Sequence, residues 1–424
     1  MTRAPGTTDL DDDALLDRVQ WQTLRYFWEF AHPACGLARE RSNVTPRYGL
    51  EAVTTGGTGF GIMAIIAGVS RGWIRRDEAV ERLWGMARFL LKCDSYHGVW
   101  PHFLNGDTGR TIPFSRKDDG GDLVETSFLI AGLLCARQFF DRDDEAETRL
   151  RAAIDWMWRE VEWDWHTQGG RNVLYWHWSP NNGWSMNHEI RGWNECLITY
   201  VLAAAAPRYP ISPEVYHRGW ADGRAFLNGR DYGGTRLPLG PDYGGPLFLA
   251  HYSFLGLDPR GLADRYADYG TQVVAHARIN HDWCVRNPKG YPGYGPDCWG
   301  LTASDSIASY DAHSPTNDLG VIAPTAAIAS LPYTPAESMR ALRHFHDDLG
   351  SRLWGEYGFT DAFSPGSDWV SGTWLAIDQG PIVVMIENAR TGLLWRLLMS
   401  CPEIRLGLAR LGFTSPHLGA VPVS

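Results

Sequence analysis

No CxxC pair occurs in the chain, and its seven cysteines (Cys35, Cys93, Cys135, Cys196, Cys284, Cys298 and Cys401) are odd in number and widely scattered. That argues against a disulfide framework and against a zinc knuckle. HExxH and comparable ligand arrays are missing too, and His344 and His346, two residues apart, would point away from each other on a helix. No metal is expected. The one glycine-rich stretch, Thr54 to Gly59, follows no strand signal and lacks a P-loop lysine, so it reads as a close helix contact or a ligand approach and not as a nucleotide site. No cofactor is expected either. Basic runs are absent: 39 Lys and Arg stand against 49 Asp and Glu, a net charge of −10, which excludes nucleic acid as a partner. There is no run of about eighteen apolar residues, and the opening MTRAPGTTDLDDD has no apolar segment, so neither a membrane span nor an export signal is expected. The chain as given reads as cytoplasmic, and as periplasmic or secreted if such a signal preceded it.

What is plentiful is aromatic. Twenty Trp accompany 17 Tyr and 16 Phe, many of them in segments rich in Gly, Pro and Asp instead of on helix faces. A flat ring with a polar edge suits the C–H face of a sugar, although any single Trp is more simply a core residue.

Helical segments come in two kinds. Val80, Leu83, Trp84, Ala87 and Leu91 recur at helical spacing among Glu81, Arg82, Arg88 and Lys92, which makes one wet face. Others, such as Phe128 to Ala136, Cys196 to Ala206, Thr325 to Leu331 and Ile382 to Ile386, are apolar nearly all round and must be buried on every side. The kinds alternate. Wet helices are predicted over 14–30, 77–92, 144–160, 213–227, 259–280 and 335–348, and buried ones over 58–69, 122–139, 190–206, 246–256, 319–331 and 379–397. Ser212-Pro213, Asp258-Pro259 and Thr334-Pro335 supply start signals, with Glu337 completing a capping box on Thr334. Connections leaving a buried helix are short, while those entering one run to roughly twenty to thirty-five residues. In a closed double ring the long connections gather on one face, so the expectation is an all-α chain, an (α/α)6 barrel of six inner and six outer helices. It would form a single domain over 1–424, with 1–13 and 412–424 as flexible or peripheral tails.

Carboxylates fall at the heads of the buried helices. Asp118, Asp122 and Glu125 stand at i, i+4 and i+7 and would share a face if the helical turn continued. Asp122 alone could equally be an N-cap with Glu125 at N3. Glu195 precedes the apolar run from Cys196, beside Trp193, where partial desolvation would raise its pKa and suit it to act as a general acid. Asp378-Gln379 opens the last buried helix, and Glu387-Asn388 interrupts it. Two carboxyl groups flanking a bond are what glycoside hydrolysis requires.

The segments FSRKDDGGDLVETSFLIAGLL, GWNECLITYVLAAAAP, GYGPDCWGLTASD, IAPTAAIASLPYTP and IDQGPIVVMIENARTGLLW, in this order from about Trp21 to Leu398, resemble the glucoamylase-like bacterial proteins that include the endo-β-1,2-glucanases of glycoside hydrolase family 144. The resemblance implies an (α/α)6 barrel, inverting hydrolysis and a β-1,2-glucan or sophoro-oligosaccharide substrate. Carried over, the acidic cluster is Asp118, Asp122 and Glu125, and the later glutamate is Glu195. Sugar contacts fall on Trp193, Tyr252, Asp297, Trp299, Asp378 and Gln379, with Arg116 beside the acidic cluster as a further candidate. The alternatives are a hydrolase of another or cyclic β-glucan and a transglycosylase or phosphorylase on the same barrel. A sugar-binding protein without catalysis and a polysaccharide lyase rank below these.

Overall fold

The computed structural model describes residues 10–222 and 226–418, and they form a helix-rich fold with only short strands. Amphipathic helices occupy Asp12–Trp28, Arg76–Leu90, Glu145–Glu160, Tyr269–Arg286 and Pro335–Arg343. Helices buried nearly all round occupy Thr55–Ser70, Leu123–Phe139, Leu197–Ala205, Pro324–Ala329 and Ala376–Thr391.

These buried helices are neighbours in a closed succession. Thr55–Ser70 packs on Leu123–Phe139, which packs on Leu197–Ala205; that helix meets the turn Ser253–Leu255, which meets Ala376–Thr391, and the last returns to Thr55–Ser70. Pro324–Ala329 packs on Ala376–Thr391. Glycine permits the tightest of these contacts. A Cβ on Gly59 would strike the backbone of Phe128 and Leu129, and one on Gly132 would strike the backbone of Gly59, so the two helices touch main chain to main chain. The glycine-rich stretch is thus a packing device, as its sequence suggested.

Several boundaries differ from expectation, each for a local reason. The segment 246–256 is not an α-helix but two 3-10 turns, Leu247–Ala250 and Ser253–Leu255. Its first amides are taken by Leu301 O at 3.1 Å and Thr302 Oγ1 at 3.0 Å instead of by the i−4 carbonyls. The helix expected from Pro259 begins at Tyr269, capped by Asp268, while Asp258 binds Arg260 and His417. Thr334 is an N-cap by position but makes no side-chain cap; its hydroxyl meets Ser338 at 3.1 Å, so the capping box is not formed. The helix expected over 213–227 is short, Pro213–Val215 continued by a π turn to Trp220, and 223–225 lie outside the described residues. The last buried segment is cut at Gly392, whose left-handed φ of 67° ends one helix and starts Leu393–Ser400.

Of the expected tails, 1–9 and 419–424 lie outside the described residues. Asp11 already caps the first helix, and 412–418 dock, with Thr414 bridged to Ala263 and Leu418 buried. Among the described residues no helix is long and apolar enough to cross a membrane. All seven thiols are free.

Candidate active site

The long connections carry small antiparallel ladders, and two of these assemble the site. Gly121–Asp122 pairs with His177–Trp178, in a register that sets Asp122 opposite His177. Ala52–Thr54 pairs with Phe103–Asn105, and Thr55 N donates to His102 O at 3.1 Å, which brings His102 to the heads of the first two buried helices.

Asp122 caps the helix Leu123–Phe139: its Oδ1 accepts from Val124 N and Glu125 N, each at 3.0 Å. The N-cap reading is correct for that oxygen. The reciprocal half of a capping box is absent, because Glu125 Oε2 accepts instead from Gly56 N at 2.8 Å and from Thr54 Oγ1 at 3.4 Å. A side chain on Gly56 would collide with this carboxylate. Asp122 Oδ2 lies 3.0 Å from His102 Nδ1 and 3.6 Å from His177 Nε2.

Asp118 does not share a helical face with them, since the helix starts only at Leu123 and Asp118 closes a turn with Ser115. His177 brings it in, with Nε2 3.1 Å from Asp118 Oδ2. Sequence reasoning missed both histidines, although the alternating WHW of 176–178 was a faint strand signal. Asp119 holds the turn through Ser179 and Asn181.

Glu195 lies in the turn before the helix Leu197–Ala205. Its backbone is fixed by Ser253, whose hydroxyl donates to Glu195 O and accepts from Ile198 N at 3.0 Å. Asn194 Oδ1 accepts from Cys196 N and from Trp220 Nε1. Burial pushes the Glu195 carboxyl up to about 7, reinforced by the charges of Glu125 and Asp122.

Within the acidic group the protons divide unevenly. Burial and the neighbouring Asp122 push Asp118 up to about 7, and burial also raises Glu125. Burial would raise Asp122 as well, but the His102 hydrogen bond and the two imidazoles hold it below its ordinary value. Burial disfavours the His102 cation, yet Glu125 and Asp122 overcome this and raise it to about 9. His177 is lowered by burial. Asp118, Asp122 and His177 offer three ligand atoms within 4.8 Å, a set a divalent ion could use only against the positive charge of His102 already on Asp122.

A second group of acids also acts on Tyr252. The Tyr252 ring packs on Phe60, Phe128 and Phe248, and burial followed by the charges of Asp378, Tyr310, Glu195 and Glu125 raises its pKa, so both groups act on it. Asp378, at the head of Ala376–Thr391, faces Asp361 carboxyl to carboxyl; burial and this neighbour raise Asp378 well above its ordinary value, and burial with Asp305 pushes Asp361 up to about 7. Asp361 Oδ2 accepts from Asp305 N at 2.7 Å. Arg41 pairs with Glu40 at 2.9 Å and with Asp305 at 3.2 Å.

The other candidates have other tasks. Gln379 gives its amide hydrogens to Tyr357 O and Phe359 O. Trp193 is buried in a stack with Trp220, Phe254 and Tyr269, its Nε1 without a partner. Trp299 is wholly buried with its Nε1 toward Glu337 O, and Asp297 pairs with Arg340 at 3.1 Å, so both are tied to the helix Pro335–Arg343 and not to the acids. Arg116 is exposed, with no side-chain partner among the described residues. Glu387 is nine residues, or about 14 Å of helix, beyond Asp378, where it pairs with Arg71 at 2.8 Å.

The Glycoamylase family model, described as "Putative glucoamylase", matches residues 187–402. The exo β-1,2-glucooligosaccharide sophorohydrolase (non-reducing end) of Parabacteroides distasonis is 48% identical over 97% of this chain, which spans 59% of that relative's length. The endo-β-1,2-glucanase of Chitinophaga pinensis, solved with sophorotriose and glucose, is 53% identical with a TM-score of 0.94, covering 96% of this chain and 100% of that one. A Bacteroides uniformis structure described as a "putative glucoamylase" is 58% identical with a TM-score of 0.95, covering 97% and 100%. The chain belongs to the glucoamylase-like bacterial family akin to glycoside hydrolase family 144.

Proposed function

We propose that this chain hydrolyses β-1,2-glucan or sophoro-oligosaccharides with inversion, on an (α/α)6 barrel whose inner ring is the closed succession of buried segments. The observation that carries the reading is Glu195: a partly buried carboxyl pushed up to about 7, within the field of Glu125 and Asp122 at the heads of neighbouring inner helices. The names of the 48% and 53% identical relatives supply the linkage.

Glu195 donates its proton to the glycosidic oxygen as the C–O bond breaks. A water on the opposite face of the sugar attacks the anomeric carbon and gives its proton to Asp118, so a β-linkage yields the α anomer. Asp118 suits the base because Asp122 is committed at both oxygens, whereas Asp118 has one oxygen on His177 and the other without a partner among the described residues. Asp118 must be ionised and Glu195 protonated, and both are pushed to about 7, so kcat/KM should fall away on either side of neutrality.

The test is product release from linear β-1,2-glucan, with β-1,3- and β-1,4-glucans as controls, for the wild type and Glu195→Gln. The expected result is cleavage of the β-1,2 polymer alone, an α anomer as first product by NMR, and a kcat lower by at least about 10²-fold in the variant. Activity on another linkage, or full activity of Glu195→Gln, overturns the reading.

A further inference from the structure

We infer that His102 is a positioning residue that assigns the protons of the acidic group: its imidazolium clamps Asp122 as a permanent anion and leaves the transferable proton to Asp118, under His177. The inference rests on the hydrolase reading and deepens it.

The geometry is that of one oxygen between two rings. Asp122 Oδ2 meets His102 Nδ1 at 3.0 Å and His177 Nε2 at 3.6 Å, while His177 lies closer, at 3.1 Å, to Asp118 Oδ2. The rings are not equivalent. His102 has Asp122 on Nδ1 and Glu125 Oε1 at 4.0 Å from Nε2, so carboxylates face both its nitrogens. It packs against Phe103 and Phe114, each ring centre 4.5 Å away, which restricts its rotation. Both ring nitrogens facing acids is the arrangement of a cation.

His177 has one acidic side only. Its ring stacks on Trp176 at 19°, and its Nδ1 is buried without a partner, as suits the bare nitrogen of a neutral ring whose Nε2–H donates. Burial disfavours a cation on this ring, and the positive charge of His102 nearby discourages a second one. The ionisable groups facing His102 are Asp122 and Glu125 at the helix head, Asp118 from the turn before it, His177 from the paired strand, and Glu40 from the segment after the first helix.

When water attacks, its proton goes to Asp118. Capture of the proton by Asp122 instead would require giving up the ion pair of its Oδ2 with His102. The His102 charge closes that route, and it lowers the affinity of Asp118 for a proton as well. Removing it therefore moves the acid limb of the rate profile upward.

The experiment combines histidine ring ¹⁵N NMR of the whole chain from pH 5 to 10 with pH profiles of kcat and kcat/KM on β-1,2-glucan, for the wild type, His102→Ala and His102→Asn. In the wild type the His102 ring should be doubly protonated at pH 7.5. His102→Ala should lose about 10²-fold in kcat with little change in KM, and its acid limb should rise by about 1 to 2 on the pH scale. His102→Asn restores a donor without the charge, so it should regain rate above the limb yet keep the limb displaced. A neutral His102 ring at pH 7.5, or an unmoved acid limb in both variants with melting temperatures like the wild type's, overturns the inference. A wild type inactive on the glucan sinks the hydrolase reading instead, and the NMR titration still decides the charge on His102.

Discussion

Two groups of buried acids both act on Tyr252, and they handle the same desolvation in opposite ways. Asp122 has two backbone amides and two imidazoles, and it stays ionised. Asp361 and Asp378 have chiefly each other, and their pKa values are driven up. Burial alone does not decide whether a carboxyl keeps its proton; its partners do. The first group is therefore equipped to cycle between charge states, and the second to hold a proton.

The comparison can be broken most sharply by isosteric amides. Asp118→Asn removes a group that must ionise in each turnover, and kcat should fall by about 10³-fold. Asp361→Asn supplies a neutral donor and acceptor of the same shape beside the carboxyl that holds the proton, Asp378, and kcat should keep its order of magnitude. Steady-state rates on β-1,2-glucan check both, and equal losses would dissolve the distinction. A smaller effect concerns stability. Asp361 has a raised pKa in the folded state, so the folded chain binds more protons than the unfolded one between about pH 4 and 7, and the Asp361 contribution is present below pH 4 and lost as pH rises through about 7. The melting temperature of the wild type relative to Asp361→Asn should thus fall across that window, by the equivalent of a few kcal/mol, at roughly 1.4 kcal/mol for each tenfold change in proton affinity. A flat difference would show that Asp361 is ionised throughout. Least affected is Asp297→Ala: a half-exposed ion pair with Arg340 contributes about 0.2 to 1 kcal/mol, and sugar release should be unchanged.

How much of this was legible in the sequence follows from the range of the interactions. Helix faces repeat within a turn, so the wet and buried helices and the acids heading them could be read directly. Glu195 beside an apolar run already implied a raised pKa. The two histidines could not be found that way, because His177 reaches Asp122 through a strand pairing 55 positions along the chain, in a ladder of two residues per strand. Asp122 and Glu125 do come together at the helix start, but Asp118 joins them through that pairing and not by helical spacing. The segment 246–256 shows the converse: its apolar pattern is helical, but backbone and hydroxyl oxygens from 301–302 compete for its amides and win. Trp299 and Gln379 carry the residue types of sugar contacts, but each is occupied by a carbonyl nearby in space and remote in sequence.

The contact of Gly59 with the backbone at Phe128 and Gly132 reaches beyond packing. Where two helices meet without side chains between them, their separation is a property of the polypeptide itself, with no rotamer to vary it. Glu125 rides on one of those helices and its anchor, Gly56, on the other. The distance between Glu125 and its anchor is therefore ruled off in units of main-chain thickness, and the long connections can be lengthened or recut without resetting that gauge.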